Sequence, residues 1–335
     1  MIQFQDVEIR YQDFVAIHDL NLEIGEGEFF TFLGPSGCGK TTTLRALVGF
    51  NVPSKGKILV DGQDITHKPI EKREIGMVFQ SYALFPTMSV EENIVFALKQ
   101  RKKPKDEIEQ TLNKMAAIVN LTSQQLKKRV DELSGGQQQR VAIARALALS
   151  PKILALDEPL SNLDAKLRKQ LRLELKKLQT DFGITVIYVT HDQEEALTLS
   201  DRLAVFNNGF VEQVGTPKEI YNHSKTEFVC NFIGDANLVT PSLLKEINRQ
   251  TGAELNLEKK SYIRTNRVST RRPQGNVAEL EAVVSAVEYY GVYSKYTFQI
   301  ENEAIYNIEK ENGSYDYLAG DVVKVYIDPR DILQY

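Results

Sequence analysis

The chain has 335 residues, 42% hydrophobic and 26% charged, an ordinary globular usage that excludes a disordered polymer and is too long for one core, so two domains are expected. A formal net charge of −4 provides no global basic field for nucleic acid, and the two cysteines, Cys38 and Cys230, are too few for a disulfide framework or a cysteine-based zinc site. No apolar run is long enough to cross a bilayer, and the first residues, MIQFQDVEIRY, lack the apolar stretch of a secretory signal, so any service to a membrane is expected through a partner.

The first segments, IQFQDVEI and AIHDLNLEI, alternate as antiparallel strands do. Residues 28–33 (EFFTFL) form a short apolar run that stops at a glycine-rich loop, and residues 41–50 read as a helix. Strand, glycine loop and helix begin a parallel α/β unit. Residues 57–60 and 75–79 are further strand candidates. From about 89 to 149 the pattern is helical, with a charged stretch at 99–105 (KQRKKPK) read as a solvated helix end. Residues 153–156 (ILAL) suit a buried strand ending in two acids. Residues 165–181 make an amphipathic helix with Leu167, Leu171, Leu175 and Leu178 on one side, ended by Gly183. Residues 184–190 (ITVIYVT) are a β-branched strand, and the alternation of strands with helices predicts a parallel sheet. Beyond about residue 235 the pattern changes to short alternating segments at 282–287, 296–300 and 322–327, which suggests a small β-barrel domain.

Gly34-Pro35-Ser36-Gly37-Cys38-Gly39-Lys40-Thr41 fits G-x-x-x-x-G-K-[ST] in the required context of a strand before and a helix after. Glycines let backbone N–H groups turn around phosphate oxygens, Lys40 supplies a point charge, and the Thr41 hydroxyl suits Mg²⁺. Thr42 follows in the helix N-terminus that faces the anion. Leu133-Ser134-Gly135-Gly136-Gln137 is a second glycine turn feeding a second helix, QQQRVAIARALAL, and so a second anion site. One phosphate loop has no evident need of two such sites in one chain. Pairing of two copies resolves this, each nucleotide lying between the phosphate loop of one copy and the Ser134 turn of the other.

LSGGQQQRVAIARAL, with the phosphate loop, resembles the signature segment of ATP-binding-cassette (ABC) ATPases. Several roles are implied by that resemblance. Asp157 resembles the Walker B aspartate that holds Mg²⁺, with Thr41 and Gln80 also at the metal. Glu158 resembles the general base, although paired acids at a strand end are also common as simply solvated groups. Ser161-Asn162-Leu163-Asp164 resembles the D-loop of the dimer interface. His191 looks like the switch histidine, and Gln80 like the Q-loop glutamine. Tyr11 stands where the family stacks adenine, with packing inside the β subdomain as the alternative. Residues 81–86 (SYALFP) are apolar for a loop, which suits either a docked permease helix or burial under the chain's own helices.

The implied fold is an α/β P-loop NTPase over 1–235, with a parallel sheet core, an antiparallel β subdomain and a helical subdomain at about 86–150. A small all-β, OB-like (TOBE) domain would occupy 236–335. Residues 215–221 (GTPKEIY), 228–238 (FVCNFIGDANL) and 322–333 (VVKVYIDPRDIL) resemble importer ATPases of the polyamine, ferric-iron, phosphonate and sugar group. SYIRTNRV at 261–268 matches that group's Ile-Arg-Pro stretch only in part, and Val130-Asp131-Glu132 lacks its usual proline and histidine. The resemblance implies an ATP- and Mg²⁺-dependent homodimer, peripheral on the cytoplasmic face of the membrane. It would work beneath a separate permease and, indirectly, an extracytoplasmic solute-binding protein, with ferric iron, a polyamine or an organophosphonate as the solute. The alternatives are an exporter ATPase and a non-transport, ATP-gated regulator. DNA-repair and ribosomal ABC proteins are disfavoured, because residues 80–133 are too short for a coiled-coil insertion and only one cassette is present.

Overall fold

The computed structural model describes residues 1–310 and 317–335. These residues fall into two compact units, Met1–Glu219 and Ile220–Tyr335. The change in sequence character near residue 235 lies inside the second unit. Among the described residues no helix is long and apolar enough to cross a membrane.

The first unit is organised by a six-stranded sheet. Its spatial order is Phe210–Gly215, Arg202–Asn207, Phe29–Leu33, Thr185–Thr190, Ile153–Asp157 and Ile75–Val78. All neighbours are parallel except the terminal pair Phe210–Gly215 and Arg202–Asn207. The central strands Phe29–Leu33, Ile153–Asp157 and Thr185–Thr190 are buried along their whole length. Their side chains alternate between two cores. Leu154, Leu156, Val186 and Tyr188 join the helical side, whereas Ile153, Ala155, Ile187 and Val189 join the side shared with the antiparallel strands. Such two-sided burial explains why these segments read as continuous apolar runs.

The antiparallel sheet has the order Phe14–Ile24, Ile2–Tyr11, Lys55–Val60, Gln63–Asp64. The helical part contains Val90–Gln100, Lys105–Ile118 and Gly135–Leu147. Ser89 begins the first of these with a capping box, accepting from the Glu92 amide while Glu92 Oε2 accepts from the Ser89 amide. Residues 101–105 are exposed, as expected of a solvated helix end.

The second unit carries a three-stranded sheet, Ala236–Val239, Ser261–Arg264 and Ile332–Gln334. A four-stranded sheet has the order Glu303–Lys310, Tyr293–Ile300, Ala278–Tyr289, Val322–Ile327. The helix Pro241–Thr251 packs Leu243, Leu244 and Ile247 into the same core as Val284, Phe298 and Val325. Neither this helix nor the strands Ala236–Val239 and Glu303–Lys310 were among the elements expected from sequence.

Candidate functional site

The loops that carry Gly34, Gln80, Glu158 and His191 leave the carboxyl ends of parallel strands, where open α/β sheets collect ligands. Leu33 pairs with Thr190, and Asp157 with Val189, so Gly34, Glu158 and His191 emerge side by side. The phosphate loop needs its glycines. A Cβ on Gly34 would lie 2.4 Å from the Phe206 carbonyl oxygen, and Gly37 and Gly39 have φ of 82° and 103°. The helix Lys40–Val48 then begins without a side-chain cap and without an acidic residue in its first turn. Its N-terminal N–H groups are therefore available to an anion.

Lys40 is buried, and its Nζ donates to Gly34 O at 2.8 Å and Pro35 O at 2.7 Å. The ammonium thus sits inside the curve of the loop. Cys38 is also buried, with Sγ 3.7 Å from Lys40 Nζ. Burial pushes its thiol pKa up while Lys40 pulls it down. Cys38 is accordingly packing within the loop.

The Thr41 hydroxyl donates to Asp157 Oδ1 at 2.8 Å. Burial raises the Asp157 pKa, opposed by the Thr41 hydrogen bond and by Arg45. One hydroxyl and one carboxylate beside a phosphate loop fit Mg²⁺, which takes hard oxygen ligands and usually fills its octahedron with water and substrate phosphates. Among the described residues there is no cluster of three or more His, Cys, Asp and Glu that would make an all-protein metal cage.

Glu158 adopts a left-handed backbone, φ 44°, fixed by its amide donating to Val189 O at 3.0 Å and its carbonyl accepting from Ser161 Oγ at 2.9 Å. Such a conformation in a non-glycine residue is held in place by its surroundings. Its carboxylate Oε2 lies 3.2 Å from His191 Nδ1 and 3.4 Å from Gln80 Nε2. Gln80 Nε2 also reaches Ser161 Oγ at 3.4 Å, and Asn162 Nδ2 donates to Gln80 O at 3.1 Å. Gln80, Glu158, Ser161, Asn162 and His191 thus form one connected group. It can orient a water beside Glu158, which is the geometry a general base requires.

Ser134 heads the helix Gly135–Leu147. Its amide donates to Gln137 Oε1 at 3.0 Å in a capping box, and Ser134 and Gly135 are exposed. The glycines here serve packing. A Cβ on Gly136 would meet Leu167 Cδ2 at 2.7 Å, and one on Gly135 would meet Leu163 Cδ2 at 3.2 Å. Leu133 is buried. Among the described residues no hydrogen bond joins the Ser134 turn to residues 34–42 of the same chain. Tyr11 is half exposed, and its hydroxyl accepts from Asn51 Nδ2 at 2.6 Å.

Of the apolar residues in 81–86, Tyr82 is buried, while Leu84 and Phe85 are partly buried. Leu84 packs on the helical core and Phe85 lies tilted against Phe96, ring centroids 4.6 Å apart. The chain's own helices therefore account for much of that loop's apolarity.

Three supporting residues escaped the sequence reading. Arg168 Nη2 donates to Leu163 O at 3.1 Å, and its Nη1 to Asp192 Oδ2 at 3.1 Å, so it ties the segment 161–164 to the residue after His191. Arg145 donates to Tyr82 O at 2.9 Å and Ala83 O at 2.7 Å, holding the chain just past Gln80. Buried Glu195 accepts from Thr190 Oγ1 at 2.6 Å and Tyr188 Oη at 2.9 Å, fixing the strand end that presents His191. A cue existed for Arg168 alone, four residues beyond Asp164 on the helix that Asp164 caps.

Residues 17–161 match the ABC transporter family and residues 262–333 the TOBE domain. The spermidine/putrescine import ATP-binding protein PotA of Thermobifida fusca is 43% identical over 316 residues, covering 89% of this chain and 82% of that protein. The Fe(3+) ions import ATP-binding protein FbpC 2 of Rhizobium meliloti is 55% identical over 224 residues, 67% of this chain and 56% of that protein. In several such relatives the match spans less than two thirds of their length. A solved dimeric structure of a post-hydrolysis state of the ATP-binding cassette MJ0796 bound to ADP and Pi is similar with a TM-score of 0.59. It is 32% identical, over 65% of this chain and 99% of that one.

Proposed function

We propose, because the chain belongs to the family of ABC transporter ATP-binding proteins, that it is the ATP-hydrolysing subunit of an importer and works as a homodimer beneath a membrane permease. The observation that carries this reading is the convergence of Gln80, Glu158 and His191 next to the Thr41–Asp157 pair, with Ser134 exposed at the head of its helix and, among the described residues, joined to none of residues 34–42 by a hydrogen bond. Half of a pocket is thus built around Lys40, and the anion-binding turn that would close it is presented outward for a second copy.

In this reading Lys40 and the N-terminal amides of its helix bind the β- and γ-phosphates. Thr41 and Asp157, with Gln80, would hold Mg²⁺, which when bound neutralises charge on the phosphates. Glu158 accepts the proton of the attacking water as its oxygen bonds to the γ-phosphorus and the bridging oxygen leaves with ADP. His191 positions that water and the γ-phosphate. Ser134 and Gly135 of the partner copy would clasp the same phosphate, so nucleotide favours the closed dimer and hydrolysis releases it. The permease would turn closure into alternating access at the cytoplasmic face of the membrane, with an extracytoplasmic binding protein delivering the solute.

Spermidine or putrescine is the solute class to test first, because the likeness to a PotA protein extends over 89% of this chain, whereas that to FbpC 2 covers 67%. The test of the ATPase role is Glu158→Gln. Loss of a general base lowers turnover by about 10²–10⁴-fold, while ATP still brings the copies together. Steady-state phosphate release and size-exclusion chromatography with and without ATP check both. Near-normal hydrolysis in Glu158→Gln would remove Glu158 from the role of base.

A further inference from the structure

The helix Lys40–Val48, whose first turn faces the phosphate site, stops at Gly49 in the left-handed region, φ 104°. A helix end leaves the carbonyls of its last turn without partners inside the helix. Arg73 takes two of them, its Nη1 donating to Ala46 O and to Leu47 O, each at 2.8 Å. Its Nε donates to Lys68 O at 2.8 Å and its Nη2 to Thr66 O at 2.9 Å. The fit is close, since a Cβ on Gly49 would lie 2.7 Å from Arg73 Nε.

Arg73 is only 7% exposed. Its acceptors are all neutral carbonyls, and among the described residues no carboxylate stands at ion-pair distance from it. A guanidinium stays charged in a protein even so, and a buried charge without a counter-ion is costly. The field of this charge is not consumed by a local acid. The nine residues of the helix span about 13 Å. Between its two ends lie Thr43, Leu44, Ala46 and Leu47, all fully buried, and salt screens little through packed interior. At the amino end Lys40 and Asp157 act on each other with opposite charge, so the local side chains alone give a polyphosphate little net attraction.

We infer that Arg73 is a positioning residue for nucleotide that acts at a distance. Its unpaired charge cancels the negative pole of the phosphate-loop helix and leaves the positive pole to face the phosphates. This inference rests on the reading that nucleotide phosphates bind at Lys40, and it adds a determinant of their affinity that touches neither phosphate nor metal.

The test is calorimetric titration of the full chain with ATP and with ADP in EDTA, where hydrolysis does not intervene. Arg73→Gln keeps amide donors but loses the charge. It should weaken ATP about tenfold and ADP distinctly less, because the interaction scales with ligand charge. Arg73→Lys keeps the charge with fewer bonds and should bind both nucleotides within about threefold of wild type. Unchanged ATP affinity in Arg73→Gln, equal loss of ATP and ADP in that variant, or an equal loss in Arg73→Lys each overturns the proposal, the last two by assigning Arg73 to packing alone. Should Arg73→Gln not fold, Arg73→Lys decides by itself, because a role in bond geometry weakens ATP there and a role in charge does not. A wild type that binds neither nucleotide would overturn the reading at Lys40, and this inference with it.

Discussion

The Thr41 hydroxyl donates to Asp157 Oδ1 at 2.8 Å across 116 residues of sequence, joining the first turn of one helix to the end of a buried strand. Two hard oxygen atoms are thereby held together before any phosphate is considered. Their spacing depends on the parallel sheet, because Phe29–Leu33 and Ile153–Asp157 both flank Thr185–Thr190.

Asp157 is kept at the expense of stability. Burial raises its carboxyl pKa above the usual aspartate range. Between the unfolded and the raised folded pKa the native state holds a proton that the unfolded chain has released. Stability therefore falls as pH rises through that window. Asp157→Asn keeps an acceptor for Thr41 without the charge. Its thermal midpoint without nucleotide should exceed that of wild type by a few degrees at pH 7, and the gain should vanish below the usual aspartate range. Mg²⁺-dependent hydrolysis should be lost. Melting curves across pH check the first point, and an equal or lower midpoint at pH 7 contradicts it.

Arg168 links Leu163 O to Asp192, next to the connected group of Gln80, Glu158 and His191. Arg168→Ala should slow turnover about tenfold, equivalent to about 1.4 kcal/mol, with ATP affinity unchanged because neither link touches the phosphate loop. Arg168→Lys keeps charge but cannot span both acceptors as a planar fork does, and should recover only part of the rate. Separate measurement of kcat and of nucleotide Kd decides this.

Tyr11 is half exposed, and aromatic–base stacking is worth about 1–3 kcal/mol without reading a hydrogen-bond pattern. Tyr11→Ala should weaken ATP binding by roughly 5–150-fold, Tyr11→Phe should bind nearly as wild type, and ATP and GTP should differ little. A titration with a fluorescent nucleotide analogue measures all three. Unchanged affinity in Tyr11→Ala would return this residue to the packing of its sheet.

The parts of the site made by local chain chemistry were legible. The phosphate loop is contiguous, its glycines are demanded by backbone shape, and ILALD and ITVIYVT read as buried strands because both their faces are covered. Arg145 was not legible as a site residue, since it works by reaching the Tyr82 and Ala83 carbonyls that only the fold brings near, and Arg168 had only its place one turn beyond the Asp164 cap to mark it. In the second unit the miss at Pro241–Thr251 was avoidable. Thr240 caps it, Pro241 opens it, Leu243, Leu244 and Ile247 share a face, and Gly252 ends it, φ 68°. Strand ends were less visible still: Ala278–Tyr289 extends beyond 282–287 at both ends, its first residues alternating buried Ala278 and Leu280 with Glu279 and Glu281 and its last two exposed.

Sharing of each pocket between two copies is tested most directly by mixing two crippled proteins. Lys40→Ala spoils the phosphate loop and Ser134→Arg blocks the signature turn, so neither homodimer has an intact pocket. A mixed dimer would have one, made from the intact loop of one copy and the intact turn of the other. Phosphate release by the mixture should rise well above that of either variant alone, with an optimum near equal proportions. A mixture no more active than its components, or full activity in Ser134→Arg by itself, would contradict a shared pocket.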